Sequence, residues 1–219
     1  MLILPDKFEK KGRLAYYTLA HTTKAIVLVG FYLDNTIDPN SFFVNYFVQC
    51  LYVPFCTYNF SLGGRVGSYW NIDNTPELQN KLNEFKKFNK LNTFDDFLPM
   101  LKNHPYYGTK AGRDMYFALT YYILSNYRKS SYFLDKIIAL KNKDNHVLFS
   151  QEIENSKFMK DCIESGNYDK GISQILQWQE QTIKAIGLTN SFLLTKDTLS
   201  LLILTIKSSF SKFSKTLSS

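Results

Sequence analysis

Apolar and polar positions alternate with a period of two through the first third of the chain, then recur with a period of about 3.6. From Arg13 to His21, Leu14, Tyr16, Thr18 and Ala20 share one face and Ala15, Tyr17 and Leu19 the other. Lys24–Asp34 follows the short polar link His21-Thr22-Thr23, and its Ile26-Val27-Leu28-Val29 run is rich in β-branched residues. The two segments predict an antiparallel hairpin. Asp38-Pro39-Asn40 predicts a turn. Phe42–Val53 puts Asn45 and Gln49 on one face with Phe43, Phe47 and Leu51, and Val44, Tyr46, Val48, Cys50 and Tyr52 on the other. A strand with so few polar positions is covered on both faces and central in its sheet, and Pro54 ends it. Tyr58–Leu62 and Arg65–Trp70 predict a second hairpin about Gly63-Gly64, a dipeptide that tolerates the positive φ of a tight turn.

Helical spacing begins near residue 75. Thr75 predicts an N-cap with Pro76 at the first helical position, and Leu78, Leu82 and Phe85 follow at helical intervals. Thr93 opens a second short helix with Phe94, Phe97 and Leu101 apolar and Pro99 as a possible bend; Asn103-His104-Pro105 stops it. Residues 111–188 predict paired helices. Met115, Leu119, Tyr122 and Ile123 form one stripe, and Phe133, Ile137 and Leu140 the next. A second pair spans Ile153–Ile163 and Ile172–Ile186 about the linker Glu164-Ser165-Gly166-Asn167-Tyr168. That linker is of the kind found between helices of tetratricopeptide repeats, although the strict 34-residue spacing is absent. In residues 191–219, Leu199, Leu202, Ile203, Ile206, Phe210 and Phe213 lie on one helical stripe with Lys207, Lys212 and Lys215 off it.

Composition narrows the class. The chain has 219 residues, 45% hydrophobic and 21% charged, which excludes wholesale disorder; its 16% aromatic content is unusual. The net charge of +7 is uneven. Residues 1–74 hold six basic and five acidic groups, 75–190 sixteen and thirteen, and 191–219 four and one. The tail is thus basic for its length. No run approaches the roughly 20 apolar residues of a membrane-spanning helix, and the first residues lack the pattern of a secretory signal. These features predict a cytoplasmic protein with reduced thiols, in which Cys50, Cys56 and Cys162 are buried as small apolar residues.

The chemical motifs are sparse. His21, His104 and His146 are isolated, and Cys50 and Cys56 have no partner pair, so no metal site and no cofactor is expected. A Gly-x-Ser-x-Gly elbow and a phosphate-binding glycine loop are both missing. Asp95-Asp96 fits the first turn of a helix, where negative charge is favoured, without catalysis. A site assembled only in three dimensions would be expected to bring His104 or Asp114 into a pocket with a shifted pKa. The strands interleave aromatic residues with aliphatic ones, not with Lys or Arg, which argues against a base-stacking platform. Arg65, Tyr69 and Trp70 at the predicted hairpin have the composition of an interaction hot spot, and Trp178 in the last helix is a further candidate, with a core role competing.

The segment Phe42-Phe-Val-Asn-Tyr-Phe-Val-Gln-Cys-Leu-Tyr-Val-Pro54, followed by Gly63-Gly64-Arg65-Val66-Gly67, resembles a widespread uncharacterised family of bacterial cytoplasmic proteins. In that family a Phe-Val-Gln-Pro-Leu-Tyr-Val-Pro strand precedes a Gly-x-Arg-Leu turn; here Cys50 replaces the Pro and Val66 the Leu. Trp178-Gln-Glu-Gln-Thr182 to Ile186-Gly187-Leu188 is similar to its closing motif. The resemblance spans roughly residues 14–188. It implies no activity and a loose association with immunity-like and accessory interaction proteins.

The expected architecture is α+β: an antiparallel β-meander over residues 1–74, a layer of repeat-like helical hairpins over 75–190, and a basic amphipathic tail over 191–219. The expected function is non-enzymatic protein binding, of the type in which an immunity protein occludes a toxin or other effector. Helix pairs offer a concave surface for this, and the basic balance favours an acidic partner surface. RNA binding is the alternative, and membrane-surface contact through residues 195–215 is weaker than either.

Overall fold

The computed structural model describes residues 8–38, 40–71, 73, 75–84, 91–142 and 150–188. The fold is α+β, an antiparallel sheet followed by helices. Strands β1 (Glu9–Lys11), β2 (Leu14–Ala20), β3 (Ile26–Asn35), β4 (Ser41–Cys50) and β5 (Gly63–Arg65) lie side by side in that order, and β6 (Trp70–Asn71) also pairs with β4. The meander, the β2–β3 hairpin and the central place of the Phe42–Val53 segment all follow the alternation in the sequence. The short edge strand β1 was not among the predicted elements.

The second predicted hairpin is corrected. Gly63 and Gly64 form no turn; they lie within β5, opposite Phe47 and Tyr46. A Cβ on Gly63 would stand 2.2 Å from the Tyr46 carbonyl oxygen, so the residue is needed for close backbone approach, not for a positive φ. Tyr58–Leu62 is not a strand but an irregular segment that crosses back over the sheet. The expected Arg65–Trp70 strand is broken. Val66 still donates to the Val44 carbonyl at 2.8 Å, and β6 resumes pairing opposite Phe42. The residues between bulge outward from one interrupted edge strand.

Helices α1 (Thr75–Glu84), α2 (Phe97–Asn103), α3 (Lys110–Ile123), α4 (Tyr127–Ile138), α5 (Ser150–Glu164) and α6 (Tyr168–Ala185) follow. The expected position Phe85 and the amphipathic tail lie outside the described residues. Before α2, Asp96 Oδ2 accepts from the backbone N–H of Thr93 at 2.8 Å and of Asn92 at 3.0 Å, so this acid closes a capping box. Pro99 falls in the first turn of α2, where its missing N–H costs nothing.

One face of the sheet and the helices share a single core that runs from Tyr17 through Tyr52 and Tyr116 to Trp178. Strand and helix halves are thus joined by burial. Full burial of side chains such as Phe97 and Leu119 stabilises by about 1.5–3 kcal/mol each. Gln179 on α6 ties the layers further: its Nε2 donates to the Lys24 carbonyl at 2.9 Å, and its Oε1 accepts from the Ile26 N–H at 2.7 Å. The Thr120 and Tyr52 hydroxyls meet at 2.7 Å across the same boundary. The sheet's other face holds a smaller cluster, Leu14, Tyr16, Leu28, Phe47 and Leu51, covered by Ile183, Ile186 and Leu188 with Tyr58 and Phe60.

The helical hairpins α3–α4 and α5–α6 repeat with a shift of 41 residues. Asn126-Tyr127-Arg128-Lys129 corresponds to Asn167-Tyr168-Asp169-Lys170. The conformations correspond too: Ser125 (φ 56°) and Gly166 (φ 70°) are left-handed, and Asn126 (φ −91°, ψ 66°) and Asn167 (φ −82°, ψ 57°) match as N-caps. The expectation of an open concave helical surface is corrected on one side. Every residue from Asp114 to Ile123 in α3 is buried, because α4 packs along that helix and the segment after β4 lies against it through Tyr52 and Phe55.

Candidate partner-binding surfaces

The sequence-derived candidates divide into two groups. Arg65 and Tyr69 are exposed; Trp70 and Trp178 are buried. Arg65 pairs across strands with Asn45, and its guanidinium lies 3.8 Å from the ring centroid of Phe43, the diagonal neighbour on the same face. This stack fixes a charged group that would otherwise sample many rotamers. Tyr69, 65% exposed, stands at the tip of the bulge between β5 and β6.

Trp70 builds that tip rather than decorating it. Its Nε1 donates to the Val66 carbonyl at 2.6 Å, and its ring fills the space beside Gly67. Gly67 has φ +72°, and a Cβ there would stand 2.6 Å from the indole. Trp178 sits on α6 inside the main core, so its ring supports the helix layer. Arg65, Tyr69 and Trp70 therefore belong to one local device, and Trp178 does not join it.

A second surface was not among the sequence-derived candidates. Arg113, Phe117 and Tyr121 recur every fourth residue on α3, and Lys129, Phe133 and Lys136 line the facing side of α4. The rings of Phe117 and Phe133 stack at 4.8 Å, and those of Tyr121 and Phe133 at 5.9 Å. Cations cap this ladder. Lys136 Nζ lies 4.4 Å from the Tyr132 centroid and 5.0 Å from that of Phe133, and Lys129 Nζ 5.3 Å from that of Tyr121. The Arg113 guanidinium lies 5.8 Å from the Phe117 centroid. Among the described residues, no carboxylate lies within ion-pair distance of these cations; the acids on the far side of α4 and α5, Asp135 and Glu164, pair with Lys160 instead. The i,i+4 spacing of Arg113, Phe117 and Tyr121 on α3, beside the stripe of Met115 and Leu119, is the signal in the sequence that marks it.

The titratable groups named from sequence lie apart. Asp114 is buried on α3, and burial raises its pKa while Lys136, Lys110 and Arg113 hold it down. His104, after α2, directs Nδ1 to the Pro105 carbonyl at 2.8 Å, leaving Nε2 to accept from the Tyr46 hydroxyl at 3.5 Å. Neither lines the cavity of about 270 Å³ bounded by Glu9, Tyr17, Thr18, Leu19, Leu91 and Asn92. Tyr106, beside Ser61, is pushed up to about 12 by burial. The Cys50 thiol is raised by burial, while the neighbouring Tyr52 and Thr120 hydroxyls pull it down. Cys50 and Cys162 are buried as expected, but Cys56 is exposed, because it falls in the irregular segment after Pro54. Among the described residues, no group of three His, Cys, Asp or Glu could hold a metal ion, and no helix is long and apolar enough to cross a membrane.

No family model matches the chain, and neither a curated protein nor a solved structure matches it significantly.

Proposed function

We propose that the chain is a non-enzymatic binding protein of the cytoplasm that occludes a protein partner, in the manner of an immunity protein covering its toxin or effector. The observation that carries this reading is the Arg65–Phe43 stack, with Tyr69 exposed four residues further along the same edge. Arg and Tyr are the residue types that dominate interface energetics. A guanidinium already held on an aromatic ring gives up less rotamer freedom on binding. The resemblance of residues 42–67 and 178–188 to an uncharacterised family, loosely associated with immunity-like and accessory interaction proteins, is in keeping with this reading.

The test uses the tagged full chain as bait in a cell extract, with and without nuclease, beside the Arg65→Ala/Tyr69→Ala variant. Support would be one stoichiometric protein that survives nuclease and is lost with the variant. Loss of all bound material on nuclease treatment would favour RNA binding, and equal retention by the variant would move the site away from β5.

A further inference from the structure

We infer that the cation-capped aromatic ladder of α3 and α4 is a second contact surface, one that takes an acidic segment of a protein partner. The inference rests on the binding reading above and adds the chemistry of the contact. Lys110 and Lys129 are exposed, and Lys136 and Arg113 are half-buried. Arg128 adds another exposed cation one helical turn before Tyr132 on α4. Together they place five cations on one helix pair, whose two carboxylates are Asp114, which is buried, and Asp135, which pairs with Lys160. Like charges gathered in this way repel one another, and carboxylates from outside relieve that repulsion.

The rings decide between an acidic protein segment and a nucleic acid. Stacking of nucleobases needs open aromatic faces. Here Phe117, Phe133 and Tyr121 spend their faces on one another, at 14–21° from parallel. Of the ladder, Tyr132 alone has a broadly exposed ring, at 57%, and the Lys136 ammonium lies over it. What remains outward is a row of ammonium and guanidinium groups set on an apolar base. That suits carboxylates interspersed with apolar side chains.

The test measures binding of the full chain to a fluorescent 16-residue peptide that alternates Glu or Asp with Leu and Tyr. Its Gln/Asn counterpart and a 16-nucleotide oligouridylate serve as comparators. Lys129→Glu/Lys136→Glu is compared with Lys10→Glu/Lys102→Glu, which makes the same change in net charge on exposed residues elsewhere. The acidic peptide is expected to bind, the amide peptide not to, and the ladder variant to weaken binding about tenfold or more while the control changes it less than about twofold. Lys129→Gln/Lys136→Gln, expected to show a smaller loss in the same direction, serves if charge reversal disturbs folding. Equal weakening by both reversals would overturn the inference, as would tighter binding of the oligouridylate or no binding of the acidic peptide. None of these outcomes depends on Arg65, so the ladder and the β5 site fail separately.

Discussion

The rings of Tyr127 and Tyr168 lie face to face, 3.8 Å between centroids and 7° from parallel. They occupy equivalent places in the two helical hairpins, each just after its left-handed turn residue and Asn cap. The Tyr122 hydroxyl, one turn away, donates to the Tyr168 carbonyl at 3.1 Å. One hairpin is thus laid on the other by repetition of the same turn, and the contact between turns sets the spacing of the pair.

That contact leaves no room at Gly171. A Cβ there would stand 2.0 Å from the Tyr122 hydroxyl and 2.4 Å from Cζ. Gly→Ala at an unstrained helical position stabilises by about 0.4–1 kcal/mol. Gly171→Ala is expected to do the opposite and cost about 1–3 kcal/mol by overpacking. Urea denaturation reads the sign; a stabilised variant would mean that the hairpins are not seated this closely.

The outward tip at Tyr69 depends on the indole beneath it. Tyr69→Ala is expected to change stability by no more than about 0.5 kcal/mol, as at exposed sites generally. Trp70→Phe gives up the bond to the Val66 carbonyl, a loss of about 0.5–1.5 kcal/mol, and Trp70→Ala also empties the space beside Gly67, for about 3–5 kcal/mol. Thermal melts of the three variants should rank in that order. Any affinity lost by a Trp70 variant therefore has to be compared with its stability before it is assigned to a contact.

Two carboxylates are expected to act in opposite senses with pH. Asp96 is held below its usual value of 3.8 by the N–H groups of Thr93 and Asn92 and the Thr93 hydroxyl. Its contribution is present above the usual value and disappears as pH falls through the lowered one. Asp96→Asn should therefore destabilise at neutral pH and approach wild type in acid. Asp114 is raised, first by burial, so its ionisation costs stability as pH rises from 3.8 through the raised value. Asp114→Asn should remove that cost and gain on wild type toward neutral pH. Denaturation midpoints of the three proteins from pH 3 to 7 would show it; parallel curves for all three would contradict both assignments.

Much of this fold was legible because period alone separates the sheet from the helices: Leu14–Ala20 alternates, and Leu78–Leu82 does not. What stayed hidden was set by contacts distant in sequence. Gly63 reads as a turn residue until the Tyr46 carbonyl is placed against it. Trp70 has hot-spot composition, but its bond to Val66 needs a bulge that no local signal marks. The hairpin repeat departs from the 34-residue spacing of tetratricopeptide repeats because its shift is 41, though the paired Asn-Tyr-x-Lys turns stand in the sequence. The ladder on α3 and α4 stayed hidden because Phe117 and Tyr121 are core residues whose outer edges meet Arg113 and Lys129 only once the two helices are packed.

The joint between sheet and helices should fail at Gln179. Its amide pairs at once with the Lys24 carbonyl and the Ile26 N–H at the β2–β3 turn, and the residue is 6% exposed. Gln179→Leu keeps the volume and removes both partners, leaving a donor and an acceptor unsatisfied next to the core. Each such group costs about 1–3 kcal/mol when buried, and water admitted at the turn would offset part of it. Gln179→Glu retains the acceptor for Ile26 but sets a carboxylate against the Lys24 carbonyl, so it should be destabilised as well, and more at neutral pH than in acid. Hydrogen exchange at the Ile26 amide gives the local readout. It should speed up in Gln179→Leu by more than the global loss of stability accounts for, whereas exchange that merely follows the global change would show that the turn is held by the sheet alone.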